Sequence, residues 1–186
     1  MQKSKADSAP QARLGSAGAD APALRTPSDL AQKDRTEVAE TINGLVADAY
    51  VLYVKTKNFH WHVSGPNFRD YHLMLDEQAD QIFASIDPLA ERARKLGQPT
   101  VRSLAHIMSL TSLDENDESF VSPAAMLNEL CEDNVAVAKA MRQAHKVCDD
   151  AEDVATASLL EIYIDETEKR TWFLFEAARN ADEGGH

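Results

Sequence analysis

The sequence has little of what normally punctuates a chain: only 7 of its 186 residues are Gly and 7 are Pro. Because these residues form most tight turns, their scarcity predicts a body built mainly of helices. No apolar run approaches the roughly 18 residues of a membrane span, and the first 30 residues lack the apolar core of a signal peptide. Two Cys cannot form a disulfide framework and are typical of reduced thiols, so we expect a cytoplasmic protein.

The composition and charge fit one acidic globular domain. Hydrophobic residues make up 44% of the chain and charged residues 27%, which excludes disorder throughout. The formal net charge is −12, with six Lys/Arg against four Asp/Glu in residues 1–35 and thirteen against twenty-seven in the rest. An acidic body repels nucleic acid and anionic membrane surfaces, but it attracts metal cations.

The chain divides into a tail, a helical domain and a short end. Residues 1–27 are rich in Ala, Ser, Gly and Pro without an apolar period, which predicts a flexible N-terminal tail. Residues 28–181 carry apolar positions in alternating steps of three and four, as amphipathic helices do. Residues 182–186 form a C-terminal tail.

Two long helices are expected in the first half of the domain. Ser28-Asp29 is an N-cap signal for the first, and the turn at residues 63–67, with its Gly and Pro, ends it. The second helix ends at Gly97, a typical C-cap, and contains Pro88, which predicts a kink near Asp87.

Two further helices follow a long connection. Residues 98–122 form this connection, and its amphipathic stretch at about 102–110 predicts a short helix. Ser122 followed by Pro123 opens the third long helix, and an acidic turn at Asp149-Asp150 separates it from the fourth. The order short turn, long crossover, short turn predicts an all-α, ferritin-like four-helix bundle with a short extra helix in the crossover.

The usual metal motif of such bundles is missing. Di-iron bundles place Glu-x-x-His on two core helices. The one match in this sequence is Glu183–His186, in the terminal tail. A metal site, if present, must therefore be built differently.

Five residues near the end of the first helix and along the second offer an alternative. His60 ends the first helix, while His72 with Asp76 and Asp87 with Glu91 each lie one turn apart on the second. Imidazole and carboxylate together suit Fe(II). Asp76 and Asp87 are about 16 Å apart along a helix, so one subunit cannot close both pairs on one metal. A two-fold axis between antiparallel second helices would bring them together.

These residues match a known family. Residues 55–97 read KTKNFHWHVSGPNFRDYHLMLDEQADQIFASIDPLAERARKLG. This stretch resembles the Dps family, the DNA-protecting mini-ferritins of starved bacteria, and the resemblance extends over residues 30–180. The shared motifs are His-Trp, a His twelve residues later, the H-x-x-x-D pair and the D-x-x-x-E pair.

The resemblance implies a function. It implies a hollow homododecamer that oxidises Fe(II), preferably with hydrogen peroxide, and stores ferric mineral inside. The implied catalytic and metal-binding residues, holding at most two iron ions per interfacial site, come from both subunits of a dimer: His60, His72, Asp76, Asp87 and Glu91. It also suggests that Trp61 traps stray oxidising equivalents, although packing at an interface would equally explain this residue.

Two other interpretations stay open. Dps proteins bind DNA through basic tails, which here would mean Lys3, Lys5, Arg13 and Arg25, and the protein could be mainly a nucleoid-associated DNA-compacting protein. The tail's acidic residues reduce the net charge of residues 1–29 to +1, so binding would be non-specific and sensitive to salt. Alternatively, the polar pairs are subunit contacts of an inert bundle. The acidic residues at 149–153 are explained by helix capping, while the resemblance makes them candidates for iron-admitting pores.

Overall fold

The computed structural model describes residues 22–179, and this part of the chain contains helices and no strand. A single 3₁₀ turn precedes five α-helices. The 3₁₀ turn is Pro22–Leu24, and the helices are α1 (Gln32–His62), α2 (Phe68–Lys95), α3 (Leu104–Leu110), α4 (Pro123–Asp150) and α5 (Val154–Arg179). The predicted all-α bundle with a short helix in its crossover is confirmed.

The four long helices enclose one hydrophobic core. α1 packs mainly on α2, and α4 on α5, as short turns between antiparallel neighbours require; α1 also packs on α4 and α3. The core is filled by large apolar side chains from all four long helices, among them Phe59, Leu52, Leu75, Leu89, Leu130 and Leu174. Burying these side chains is the main term that stabilises the bundle.

Polar side chains fix where three of the helices begin. Ser103 and Ser122 accept hydrogen bonds from backbone N–H groups three residues further on, which caps α3 and α4, and Pro123 occupies the first turn of α4. At the start of α5, Asp153 Oδ1 accepts from the Thr156 N–H at 3.1 Å. The cap predicted at Ser122 is confirmed, and Asp153 has the capping role that explains its place in the acidic run.

The first helix begins later than expected, and the second contains its proline within the helix. The N-cap of α1 is Ala31 and not Ser28, because the Ser28 hydroxyl accepts from the Leu30 N–H at 3.2 Å and closes a separate turn before the helix. α2 is one continuous helix that includes Pro88, and the kink near Asp87 stays a prediction.

An ordered N-terminal strap, residues 24–26, lies against the end of α2. Arg94 donates to the Leu24 carbonyl at 3.1 Å, and the Thr26 hydroxyl donates to the Arg94 carbonyl at 3.1 Å. Arg35 donates to the Thr26 carbonyl at 3.3 Å. A Cβ at Gly97, whose φ is 77°, would stand 2.9 Å from the Thr26 nitrogen. Residues 24–26 of the predicted tail therefore contact the helical domain, while residues 1–21 of that tail and the predicted C-terminal tail, 182–186, lie outside the described residues.

A buried ion pair joins α1 to α4. Lys55 Nζ lies 2.8 Å from Asp133 and 2.9 Å from Glu129, with only 3% of the Lys55 side chain exposed. Burial opposes the charged lysine, but the hydrogen bonds and charges of both carboxylates outweigh it and raise the pKa of Lys55. Burial also raises the pKa of Asp133, against the opposing effect of Lys55.

Both cysteines lie on α4, and neither forms a disulfide in the described chain. Burial raises the pKa of the Cys148 thiol to about 12, which makes it an unreactive core residue. None of the helices between residues 22 and 179 has the length and apolar composition needed to span a membrane.

Candidate metal centre

The turn between α1 and α2 brings two histidines into contact. His60 lies in the last turn of α1 and is buried, whereas His72 lies in the second turn of α2 and is half-buried. Gly65, at a φ of 104°, helps the chain to reverse between them. The two imidazole rings stack with 3.7 Å between their centroids.

Reciprocal hydrogen bonds orient these rings. His60 Nδ1 lies 2.8 Å from the His72 carbonyl oxygen, and His72 Nδ1 lies 2.9 Å from the His60 carbonyl oxygen. A carbonyl oxygen only accepts, so each Nδ1 carries the proton and donates it. Each neutral ring therefore keeps its lone pair on Nε2, the arrangement in which a backbone carbonyl prepares a histidine to bind a metal ion.

Asp76 lies beside this pair, one helical turn after His72. Its Oδ1 is 3.7 Å from His60 Nε2 and 2.6 Å from Lys57 Nζ. The hydrogen bond from Lys57 lowers the pKa of Asp76, so the group is an ionised carboxylate at neutral pH. The structure thus brings together three of the five predicted ligands, two imidazoles and one carboxylate.

The other two predicted ligands lie elsewhere on α2. Asp87 and Glu91 are exposed, and Glu91 forms an ion pair of 3.1 Å with Lys95. The helical rise places Asp87 about 16 Å beyond Asp76. Across residues 22–179, no three His, Cys, Asp or Glu side chains form a group that could hold a metal ion within one chain.

An exposed stripe runs along α2 and connects the two sets of carboxylates. Its residues are three or four positions apart, so they lie on one face of the helix, and they include both carboxylate and apolar side chains. The members are Leu73, Asp76, Asp80, Phe83, Asp87 and Glu91. The Phe83 side chain is 55% exposed, which is unusual for a large aromatic residue in a single folded chain. We call this set the α2 stripe.

Two other residues lie next to the histidine pair. Trp61 follows His60 directly and is 64% exposed. Its proposed role in trapping oxidising equivalents stays a prediction. Lys57 was not anticipated from the sequence, although its position one turn before His60 on α1 is a signal that could have drawn attention to it.

Most of the predicted DNA-binding residues lie outside the part of the chain that the structure describes. Lys3, Lys5 and Arg13 lie outside the described residues, as does His186. Arg25 belongs to the N-terminal strap, where its backbone N–H donates to the Pro22 carbonyl at 3.3 Å.

Comparison with known proteins identifies one matching family and several proteins of similar sequence. Residues 39–182 match the ferritin-like domain family. DNA protection during starvation protein 1 of Deinococcus radiodurans is 33% identical over 169 residues, which is 91% of this chain and 80% of that protein. DNA protection during starvation protein of Brevibacillus brevis is 36% identical over 137 residues, 74% of this chain and 91% of the relative.

A solved structure has a similar fold over most of this chain. The crystal structure of an archaeal Dps homologue from Halobacterium salinarum superposes with a TM-score of 0.78 at 28% identity. The match covers 91% of this chain and 92% of that one.

Proposed function

Because this chain belongs to the Dps family of ferritin-like proteins, we propose that it is a ferroxidase that oxidises Fe(II) at sites shared between two subunits. The observation that carries the proposal is the histidine pair. His60 and His72 donate Nδ1–H to each other's carbonyl oxygen, which leaves Nε2 of each ring free of these bonds, and His60 Nε2 lies 3.7 Å from the Asp76 carboxylate. Hydrogen bonding of Nδ1 to a carbonyl oxygen is the arrangement that orients metal-binding histidines.

The incompleteness of the site within one chain supports sharing between subunits. His60, His72 and Asp76 lie at one end of the α2 stripe, and Asp87 and Glu91 lie at the other. Two stripes packed antiparallel about a two-fold axis would place the first set of one chain opposite the second set of its partner. The exposed Leu73 and Phe83 in the same stripe supply the apolar contact that such an interface needs.

The proposed chemistry uses ferrous iron and hydrogen peroxide as substrates. Two Fe(II) ions each give one electron to one peroxide molecule, its O–O bond breaks, and two protons complete two water molecules. The imidazole Nε2 atoms suit Fe(II), while the oxygen ligands of Asp76, Asp87 and Glu91 favour the harder Fe(III) product. When both electrons reach peroxide together, the product is water and not a hydroxyl radical.

Lys57 sets a condition on iron binding. Its ammonium group already occupies Asp76 Oδ1 at 2.6 Å, so a ferrous ion that uses this oxygen must displace it. The ion pair is half-exposed on the Asp76 side, where such pairs are weak. A divalent cation can therefore replace the lysine without unfolding the turn.

The family relationship also suggests how the dimers assemble and what the assembly stores. We propose that the two-fold dimers assemble into a cytoplasmic homododecamer whose acidic interior stores ferric mineral and so limits oxidative damage to the cell and its DNA. The excess of acidic residues in the helical body, with 27 Asp/Glu against 13 Lys/Arg after residue 35, is suited to such a lining.

Stopped-flow oxidation tests the ferroxidase assignment. Two Fe(II) per subunit are added anaerobically to the full-length oligomer, which is then mixed with hydrogen peroxide or with dioxygen. The expected result is rapid oxidation that prefers peroxide and falls to the buffer rate in the His72→Ala/Asp76→Ala protein. As a matched control, Glu77→Gln removes an exposed carboxylate next to Asp76 and should oxidise iron like the wild type.

Retention of rapid oxidation by the His72→Ala/Asp76→Ala protein would reject the site assignment. Size-exclusion chromatography of each variant checks that the oligomer is intact. A wild-type protein that oxidises iron no faster than buffer would reject the enzyme assignment.

A second function, DNA binding, is favoured by the names of the Deinococcus and Brevibacillus relatives. We propose that any such binding uses Lys3, Lys5 and Arg13. Deleting residues 1–21 leaves the N-terminal strap in place, and it should abolish DNA retardation in low-salt gels while leaving iron oxidation unchanged. Unchanged retardation would contradict a role for the tail.

A further inference from the structure

A second cluster of histidine and carboxylate side chains lies between α4 and α5, away from the α2 stripe. His145 on α4 has both ring nitrogens next to carboxylates. Its Nδ1 is 3.1 Å from Asp149 Oδ2 on the same helix, and its Nε2 is 3.3 Å from Glu161 Oε1 on α5. The ferroxidase proposal uses none of these residues.

In its neutral form the His145 imidazole leaves one nitrogen lone pair facing a carboxylate. A neutral imidazole carries a single N–H, so it can donate to only one of its two acidic neighbours. The nearer carboxylate, Asp149, favours the proton on Nδ1, as a carboxylate beside a metal-bound histidine does. The Nε2 lone pair then points toward a negatively charged Glu161 oxygen, and a cation between the two atoms would relieve their repulsion.

The spacing and surroundings suit a metal ion. Bonds of 2.0–2.2 Å from one ion to nitrogen and oxygen, at angles between 90° and 109°, place these two ligand atoms about 2.8–3.5 Å apart, which includes the observed 3.3 Å. The group opens into a cleft of about 330 Å³, lined also by Arg142 and Ile164, with room for water ligands. Arg142 forms an ion pair with Glu168, so its charge is matched without Glu161.

We propose that His145 Nε2 and Glu161 bind a divalent transition-metal cation of the Fe(II) or Zn(II) class. Water completes the coordination shell, and Asp149 acts as a positioning residue. The bound ion would link α4 to α5 close to the turn that joins them. With two protein ligands the site is an exchanging one, weaker than a structural zinc site with four.

Zinc binding to the full-length protein tests this proposal. Equilibrium dialysis with Zn²⁺ is performed on the His72→Ala/Asp76→Ala protein, in which the proposed ferroxidase site is disabled. Adding His145→Gln or Glu161→Gln to that background should remove one bound Zn²⁺ per chain. Asp149→Asn should keep the site and weaken its affinity about 10- to 100-fold. Glu176→Gln, a matched change to an exposed carboxylate of the same helix that pairs with Arg179 about four turns beyond Glu161, should leave zinc binding unchanged.

X-ray absorption at the zinc edge gives a readout that a fold defect would not mimic. The His72→Ala/Asp76→Ala protein at one Zn²⁺ per chain should show imidazole scattering that His145→Gln removes. Equal zinc stoichiometry and equal imidazole scattering with and without His145 would overturn the proposal. This result would not affect the ferroxidase assignment, because iron oxidation by the wild type is measured separately.

Discussion

The two ends of the α2 stripe are built differently. At the first end, α1 holds His60, His72 and Asp76 in place through two reciprocal hydrogen bonds and the Lys57 ion pair. At the second end, Asp87 is exposed and Glu91 pairs with Lys95 one turn later on the same helix. In the proposed site, the fold of one chain thus orients the first set of ligands, whereas the geometry of the second set depends on a partner chain.

Two lysines on α1 show a related contrast. Lys55 points into the bundle and pairs with Asp133, whereas Lys57, two residues later, reaches Asp76 at the half-exposed histidine pair. A buried ion pair cannot open without a large desolvation cost, but a half-exposed pair can exchange its partner. The first pair therefore belongs to the fold and the second to the function.

The largest effect is expected from the exposed end of the stripe. Asp87→Asn/Glu91→Gln should reduce ferrous oxidation to the buffer rate, as fully as His72→Ala/Asp76→Ala does, because both halves complete the same site. Stopped-flow absorbance of ferric products measures this rate. If the wild-type rate persisted, the site would consist of the histidine end alone and the comparison between the two ends would fail.

Removing the buried lysine should affect stability. Lys55→Met leaves Asp133, whose side chain is 14% exposed, without its partner, and we expect a loss of stability of about 3 kcal/mol, measured as a lower thermal midpoint. The double change Lys55→Met/Asp133→Leu should recover most of this loss. Lys57→Met is the matched control and should change the midpoint little, since its partner Asp76 is half-exposed. Equal losses for the two lysines would contradict their assignment to fold and function.

The exposed lysine should affect the pH dependence of the reaction. The hydrogen bond from Lys57 lowers the pKa of Asp76, so this carboxylate stays ionised to a lower pH than an isolated one. In Lys57→Met the pKa rises toward its ordinary value, and protonation blocks metal binding sooner as the pH falls. The acid limb of the oxidation rate should therefore move to higher pH. An unmoved limb would show that Asp76 does not bind the iron.

The smallest effect on rate is expected at Trp61. Trp61→Phe keeps an aromatic ring beside His60 and should leave the initial oxidation rate unchanged. If the indole traps stray oxidising equivalents, spin-trapping should detect more radical during turnover in this variant. Unchanged radical yield would favour packing at the subunit interface as the role of this residue.

Much of the fold could be predicted because its signals are local. The cap at Ser122 and the periodic apolar positions depend on neighbours within one helix, so the sequence alone indicates them. The prediction that Ser28 caps the first helix was wrong because its hydroxyl closes a turn just before that helix. The strap over Gly97 depends on arginines from two helices, a contact that no local pattern contains.

The site could be predicted only as a list of residues. Spacing placed His72 with Asp76 on one helix face and showed that Asp87 lies too far along the helix for the same ion. The reciprocal His60–His72 hydrogen bonds depend on the register between α1 and α2, and the Lys57 contact depends on it too. How the two ends of the stripe meet depends on a second chain, so the shared site stays a prediction.

Complementation between two inactive variants tests the shared site most directly. Chains carrying His72→Ala/Asp76→Ala are co-expressed in equal amounts with chains carrying Asp87→Asn/Glu91→Gln, and ferrous oxidation by the purified mixed oligomer is measured. In each mixed dimer one site receives both sets of intact ligands and the other receives neither. Random pairing should therefore restore about a quarter of the wild-type rate, from two inactive parents. Mixed oligomers as inactive as their parents would contradict a site built from both chains.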